Sequence, residues 1–94
     1  MKQLIIIYKF QSANNYRATS FFDMLRKYQR FAFITENACV IWSNESVVLV
    51  RDFLKSAIGP GDILFVGEIS APAAWTDSVS KQVSDYLITN LKDI

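Results

Sequence analysis

The chain has 94 residues, of which 51% are hydrophobic and 20% charged, and its formal net charge is +1. These values fit one globular domain and exclude a disordered segment, which combines low hydrophobicity with high net charge. The absence of His and the single Cys exclude a disulfide framework, Cys/His zinc sites and His-based triads. Apolar runs such as Leu4–Tyr8 are far shorter than the ~20 residues that span a bilayer. We therefore expect one cytoplasmic domain over residues 1–94, with no membrane segment and no signal peptide.

The charged side chains are distributed unevenly along the chain. Residues 1–35 carry six basic side chains and one acidic one, whereas residues 36–94 carry four basic and eight acidic ones. A molecule with two oppositely charged halves attracts a polyanion through one half only, or attracts a second copy of itself. The composition does not decide between these two partners.

The first half of the chain predicts three strands and one helix. Lys2–Phe10 is rich in β-branched and aromatic residues, as in a strand. Tyr16–Tyr28 follows a polar break with Asn residues that suit a helix N-terminus, and it carries apolar residues at helical spacing. Phe31–Thr35 and Ala38–Trp42 predict two more strands, joined by a tight hairpin at Glu36–Asn37.

The second half predicts two helices around a fourth strand. Ser43 is expected to cap the first of these helices, which Gly59-Pro60-Gly61 would end as a turn. The apolar stripe of this helix is Val47, Val50, Leu54 and Ile58. Asp62–Ile69 predicts the strand, and after a connection the last helix is expected at about Ser78–Leu91.

This order of elements predicts an α+β fold of the ferredoxin-like type. Strand, helix, strand, strand, helix, strand is the split βαβ pattern (βαββαβ), here with an additional C-terminal helix. Right-handed crossovers place the first and third strands in the centre of the sheet, with two helices on one face.

Both faces of the predicted sheet are apolar. Leu4, Ile6 and Tyr8 alternate with Ile5 and Ile7, and the other strands follow the same pattern, whereas a sheet with one face in water alternates apolar and polar residues. Because large exposed apolar areas are unusual in monomers, the second face needs a cover. The third helix of the same chain or a second copy can supply it, and we expect a homodimer with opposed sheet faces.

Short segments over almost the whole chain occur in the order found in a known family. They are Leu4–Tyr8, Asn15-Tyr16, Val40–Trp42, Arg51-Asp52, Gly61–Val66, Ala73–Trp75, and Val83–Leu87 with Asn90-Leu91. In these segments the chain resembles the Cas-two-like superfamily of CRISPR adaptation subunits, and most of all its small bacterial and phage proteins of the SinR family. The resemblance implies a ferredoxin-like fold and a dimer.

The resemblance also bears on catalysis. In the enzymes of this superfamily an Asp follows the Tyr that ends the first strand, and two such Asp residues across the dimer axis hold a metal that activates water. Here Lys9 follows Tyr8, and Lys does not ligate Mg²⁺. We therefore expect a non-catalytic binding or assembly module without catalytic residues, metal or cofactor. The alternative is a metal-dependent nuclease that uses Asp62 or Glu36, which the topology brings to the same rim as Lys9.

Two further features point to partners. Arg17, Arg26, Lys27 and Arg30 form a basic cluster on and after the first helix, which suits phosphate contacts with nucleic acid and equally suits the negative end of the helix dipole. Trp75 in the last connection is a candidate anchor for a protein partner, as in an antitoxin-like or defence-related regulatory subunit, or else a plug for the edge of the core.

Overall fold

The computed structural model describes residues 2–11, 15–28, 30–71 and 73–90. Its elements are β1 (Lys2–Lys9), α1 (Asn15–Leu25), β2 (Phe31–Thr35), β3 (Ala38–Ser43), α2 (Val47–Leu54), a 3₁₀ turn (Lys55–Ala57), β4 (Ile63–Ile69) and α3 (Lys81–Asn90). None of the helices in these ranges has the length and apolar composition of a membrane-crossing segment.

The four strands form one antiparallel sheet in the order β2-β3-β1-β4. Ile6 at the middle of β1 lies opposite Cys39 of β3 on one side and opposite Val66 of β4 on the other. The ferredoxin-like prediction is confirmed, with the first and third strands in the centre and an extra helix at the C-terminal end. The sheet has two edge strands, β2 and β4.

The main core lies between α1, α2 and one face of the sheet. Its buried side chains are Leu4, Ile6, Tyr8, Phe21, Leu25, Tyr28, Cys39, Ile41, Val50, Leu54 and Ala57. Each large aliphatic or aromatic member that is fully buried contributes about 1.5–3 kcal/mol. The rings of Tyr8 and Phe21 are 4.8 Å apart, so β1 and α1 are joined through aromatic packing.

The second face of the sheet is covered in part by α3 of the same chain. Val40 of β3 and Leu87 of α3 are buried against each other, with Trp75 packed against this pair. The remaining side chains of this layer are Ile5, Ile34, Ile69, Ala73, Val83 and Tyr86. Of the two covers that the sequence allows, the third helix therefore acts in cis.

The cover is incomplete at the end of the sheet where β1 finishes. Ile7 of β1 pairs with Phe65 of β4, and Ile63 shares their face because strand side chains alternate. Ile7, Ile63 and Phe65 are 41%, 55% and 55% exposed. These three side chains are called the uncovered patch below.

Two helix starts differ from the prediction because a neighbouring serine is the cap. Ser43 is the last residue of β3, and its hydroxyl accepts from the Glu45 N–H at 3.0 Å. The α2 cap is Ser46, whose hydroxyl accepts from the Leu49 N–H at 3.2 Å. The predicted start of the last helix at Ser78 is also wrong.

The start of the last helix and the end of the first helix also differ from the prediction. The Val79 N–H bonds to the Thr76 carbonyl in a turn, and the Ser80 hydroxyl accepts from the Val83 N–H at 3.3 Å, so α3 begins at Lys81. The predicted end at Leu91 lies outside the described residues. The first helix ends at Leu25 rather than Tyr28, because residues 26–28 form i→i−3 bonds that tighten the chain.

Candidate functional site

The strand-end rim consists of Lys9, Glu36 and Asp62. Lys9 pairs with Ile63, and the Tyr8 N–H donates to the Asn37 carbonyl at 3.0 Å, so the three residues lie at the same end of the sheet, as the topology predicts. The carboxylates flank β1 on opposite sides. Since β3 and β4 are two strand spacings apart, about 10 Å, the backbones of Glu36 and Asp62 are well separated. Among the described residues, no group of three or more His, Cys, Asp and Glu side chains can hold a metal ion.

Asp62 stabilises a turn. Its Oδ1 accepts from the Gln11 N–H at 2.8 Å and its Oδ2 accepts from the Gly59 N–H at 3.0 Å. The Asp62 N–H in turn donates to the Gly59 carbonyl at 3.1 Å. Gly61 has a φ of 83°, which Gly adopts without strain, so the predicted Gly59-Pro60-Gly61 turn is confirmed. Asp62 thus joins the exit of β1 to the turn before β4.

Tyr8, at the end of β1, is buried with 1% exposure, and its hydroxyl has no hydrogen-bond partner among the described residues. Burial raises the pKa of Tyr8 to about 12, and the electrostatic effects of Cys39 and Glu36 act in the same direction. The phenol therefore stays neutral at physiological pH and remains a hydrogen-bond donor.

A hollow of about 650 Å³ opens between α1 and the edge strand β2. It is called the aromatic pocket below, and its lining consists of Tyr8, Phe22, Leu25, Arg26, Phe31, Phe33, Ile34, Thr35 and Glu36. The ring of Phe33 is 5.9 Å from that of Phe22 and 5.6 Å from that of Phe31, both edge to face. Phe31 and Phe33 are more than a third exposed. A flat apolar group fits such a lining, and a few polar groups fix its orientation.

The sequence did not predict this pocket. Phe31 and Phe33 have the spacing of an ordinary buried strand face. The side chains of Phe31 and Phe33 are exposed because β2 is an edge strand. Once the order of strands had been predicted, the pocket could have been inferred from an apolar strand at the edge of the sheet.

The four predicted nucleic-acid-binding cations have different surroundings. Arg26 pairs with Asp23 at 3.2 Å and lines the aromatic pocket. Lys27 pairs with Glu45 at 3.3 Å, with its Nζ 4.4 Å from the ring centre of Phe53. Arg17 belongs to α1, but its side chain lies outside the described residues.

Arg30 contacts the opposite layer of the molecule. Its guanidinium lies 4.3 Å from the ring centre of Trp42, and Trp42 shares the α3 face of the sheet with Val40 because strand side chains alternate. The structure therefore brings Arg26 to the aromatic pocket but does not bring Arg30 to the same face.

Glu45 fixes the end of α1. One carboxylate oxygen accepts from Lys27, and the other accepts from the Tyr28 hydroxyl at 3.1 Å. Burial raises the pKa of Tyr28, and the hydrogen bond to Glu45 raises it further. The chain between α1 and β2 is thereby attached to the loop before α2, which positions Arg26 beside the pocket.

Trp75 is tied to its own chain. Its indole N–H donates to the Ser84 hydroxyl of α3 at 2.9 Å, and the half-buried ring packs against the layer of Val40 and Leu87. This contact attaches the last connection to α3.

Comparison with protein-family models and with curated proteins finds no match to this chain. The resemblance to Cas-two-like proteins therefore remains a prediction from the sequence.

Proposed function

We propose that the chain is a non-catalytic nucleic-acid-binding module of the Cas-two-like kind, which works as a homodimer in a prokaryotic or phage cytoplasm. The observation that carries the proposal is the position of Arg26 beside the exposed rings of Phe31 and Phe33. Proteins that bind single-stranded nucleic acid combine cations for the phosphates with aromatic rings on which bases stack. The ferredoxin-like sheet and the family resemblance support the same assignment.

Binding without cleavage is supported by the strand-end rim. Lys9 occupies the position where the superfamily's enzymes have a metal-binding Asp. The alternative nuclease site would use Asp62 or Glu36. Asp62 accepts two backbone N–H groups, and Glu36 lies on the far side of β1, so the alternative receives less support.

Titration of labelled single-stranded and duplex RNA and DNA, followed by fluorescence anisotropy over a salt series, tests the proposal. We expect Arg26→Gln to weaken single-strand binding and to reduce the slope of log K against log salt by about 0.7, the contribution of one phosphate contact. Lys81→Gln is the matched control, because Lys81 is an exposed cation on α3 that is paired with Asp85. Absence of affinity at low salt, or equal effects of the two variants, would contradict the proposal.

The homodimer is supported by the uncovered patch. Ile7, Ile63 and Phe65 form an apolar surface beside the free edge of β4, and exposed edges and apolar patches favour association between copies. We expect the protein to sediment as a dimer and Phe65→Glu to sediment as a monomer. Leu49→Glu is the control, since Leu49 is 57% exposed on α2 and lies away from the sheet. A wild-type protein that is monomeric at all concentrations would remove the dimer.

The protein-binding alternative through Trp75 has less support. The indole N–H bonds to Ser84 within the chain, so this group is not available to a partner. No other contact of Trp75 favours that function over nucleic-acid binding.

A further inference from the structure

We propose that the aromatic pocket binds one nucleobase through its lactam edge, with the Tyr8 hydroxyl donating to the ring carbonyl and the Glu36 carboxylate accepting from the adjacent ring N–H. Guanine and uracil present this edge, whereas adenine and cytosine do not. The inference rests on the proposed nucleic-acid-binding function and names the chemical group that enters the pocket.

The shape of the pocket suits a flat ring. Its volume of about 650 Å³ lies within the range of ~300–1,000 Å³ that is typical of small-molecule sites. Phe22, Phe31 and Phe33 supply three neighbouring aromatic rings, and successive rings meet edge to face at 5.6–5.9 Å. A base that stacks on one of these rings is held in plane by the others. Such stacking tolerates any base and raises the binding affinity about tenfold or more per base.

The Tyr8 hydroxyl can orient the bound base through a hydrogen bond. It is buried and lacks a hydrogen-bond partner among the described residues, although nearly all buried polar groups in proteins have one. Tyr8 also belongs to the pocket lining, and its hydroxyl is shielded from solvent, so a carbonyl oxygen that enters the pocket can accept from this hydroxyl once a side chain of the lining shifts. The phenol is protonated throughout the physiological pH range and can donate such a bond.

The two charged residues of the lining distinguish a nucleotide from a purely apolar ligand. Glu36 is exposed on the β2–β3 hairpin, and its charge acts on Tyr8, so it can accept from a ring N–H beside the carbonyl. Arg26 forms a surface pair with Asp23, with side chains 74% and 60% exposed. Such pairs are weak, and the guanidinium can turn to a phosphate. An acyl chain would fill the apolar volume but would leave Tyr8 and Glu36 without partners.

Isothermal titration with the four ribonucleoside monophosphates tests the inference, alongside anisotropy with short oligouridine and oligoadenosine. We expect GMP and UMP to bind at least tenfold more tightly than AMP and CMP. Tyr8→Phe removes only the hydroxyl and is expected to reduce this preference about tenfold, equivalent to about 1.4 kcal/mol, without lowering thermal stability. Phe33→Ala, at a partly exposed position, is expected to weaken all four nucleotides. Lys81→Gln is the control that should change none.

The outcomes separate the inference from the proposed function. Oligonucleotide binding that shows no base preference and is unchanged in Tyr8→Phe would overturn the inference and leave the proposed function standing. Selective binding of GMP and UMP without affinity for oligonucleotides would support the pocket and overturn the nucleic-acid function in favour of a free nucleotide. Absence of binding by any nucleotide or oligonucleotide at low salt would overturn both.

Discussion

Alkaline pH is expected to destabilise the protein through Cys39. This thiol is fully buried in β3, and burial raises its pKa from 9.0 to about 12 against a smaller opposing effect of the Ala32 backbone hydrogen bond. Because the folded-state pKa lies above the unfolded one, the contribution to stability is complete below pH 9 and is lost as the pH rises towards 12. Only the unfolded chain carries a thiolate over this interval.

The size of the effect follows from the two pKa values. At pH 10 the free energy of unfolding should have fallen by about 1.4 kcal/mol on account of Cys39, and at pH 11 by about 2.7 kcal/mol. A whole domain is stable by only about 5–15 kcal/mol. Cys39→Ala removes this dependence but leaves a small cavity, which costs about 1 kcal/mol, as for one buried methylene-sized group. The stabilities of the two proteins are therefore expected to cross near pH 10.

Urea denaturation followed by circular dichroism at pH 8, 9, 10 and 11 measures this crossing. The wild-type protein should be the more stable one at pH 8 and the less stable one at pH 11. Lysine titration affects both proteins equally, so the difference between them reports the thiol together with its effect on the pKa of Tyr8. Two curves that stay parallel over the whole interval would refute the reasoning, because they would show that the thiol ionises equally in the folded and unfolded chains.

Three substitutions test the packing, each by urea denaturation against a matched control. Asp62→Ala should lower the free energy of unfolding by about 1–3 kcal/mol, since two backbone N–H groups lose their acceptor, whereas Glu36→Ala should change it by less than about 0.5 kcal/mol; similar losses in both would contradict the role of Asp62 in the turn. Ser80→Ala should cost about 1 kcal/mol as the loss of a helix cap, and an equal cost for Ser78→Ala would place the cap elsewhere. Leu87→Ala should lower the free energy of unfolding by about 2–5 kcal/mol and increase dye binding to the α3 face. Ile88→Ala, at a position 49% exposed, should do neither. A Leu87→Ala protein of unchanged stability would show that α3 does not cover the sheet.

The strands and their order could be predicted from the sequence, because runs such as Leu4–Tyr8 are dense in β-branched and aromatic residues and the hairpin at Glu36–Asn37 leaves little choice of pairing. The starts of α2 and α3 could not. Ser43 and Ser46 are both good caps, and the choice depends on Ser43 being held opposite Lys2 in the sheet. The residues near Ser43 in the sequence do not show that it pairs with Lys2.

The candidate site was predicted only in part. Arg26 was predicted to contact phosphate together with Arg30, and this grouping assumed that the turn after α1 keeps both side chains on one side of the molecule. The i→i−3 bonds at residues 26–28 change the direction of the chain before Arg30, which lies over Trp42. The Tyr8 hydroxyl, which has no partner among the described residues, could not be predicted, because its surroundings come from side chains that are distant in the sequence.

The layer formed by α3 makes the local stability of the fold uneven. Among the α3 side chains that the structure describes, Leu87 alone is fully buried, and the link from Trp75 to Ser84 is a single hydrogen bond. By contrast, β1 pairs with β3 from Lys2 to Ile7 and with β4 from Gln3 to Lys9. Backbone amides of α3 should therefore exchange with deuterated solvent through partial opening of that helix alone, while those of β1 should exchange only when the whole domain unfolds.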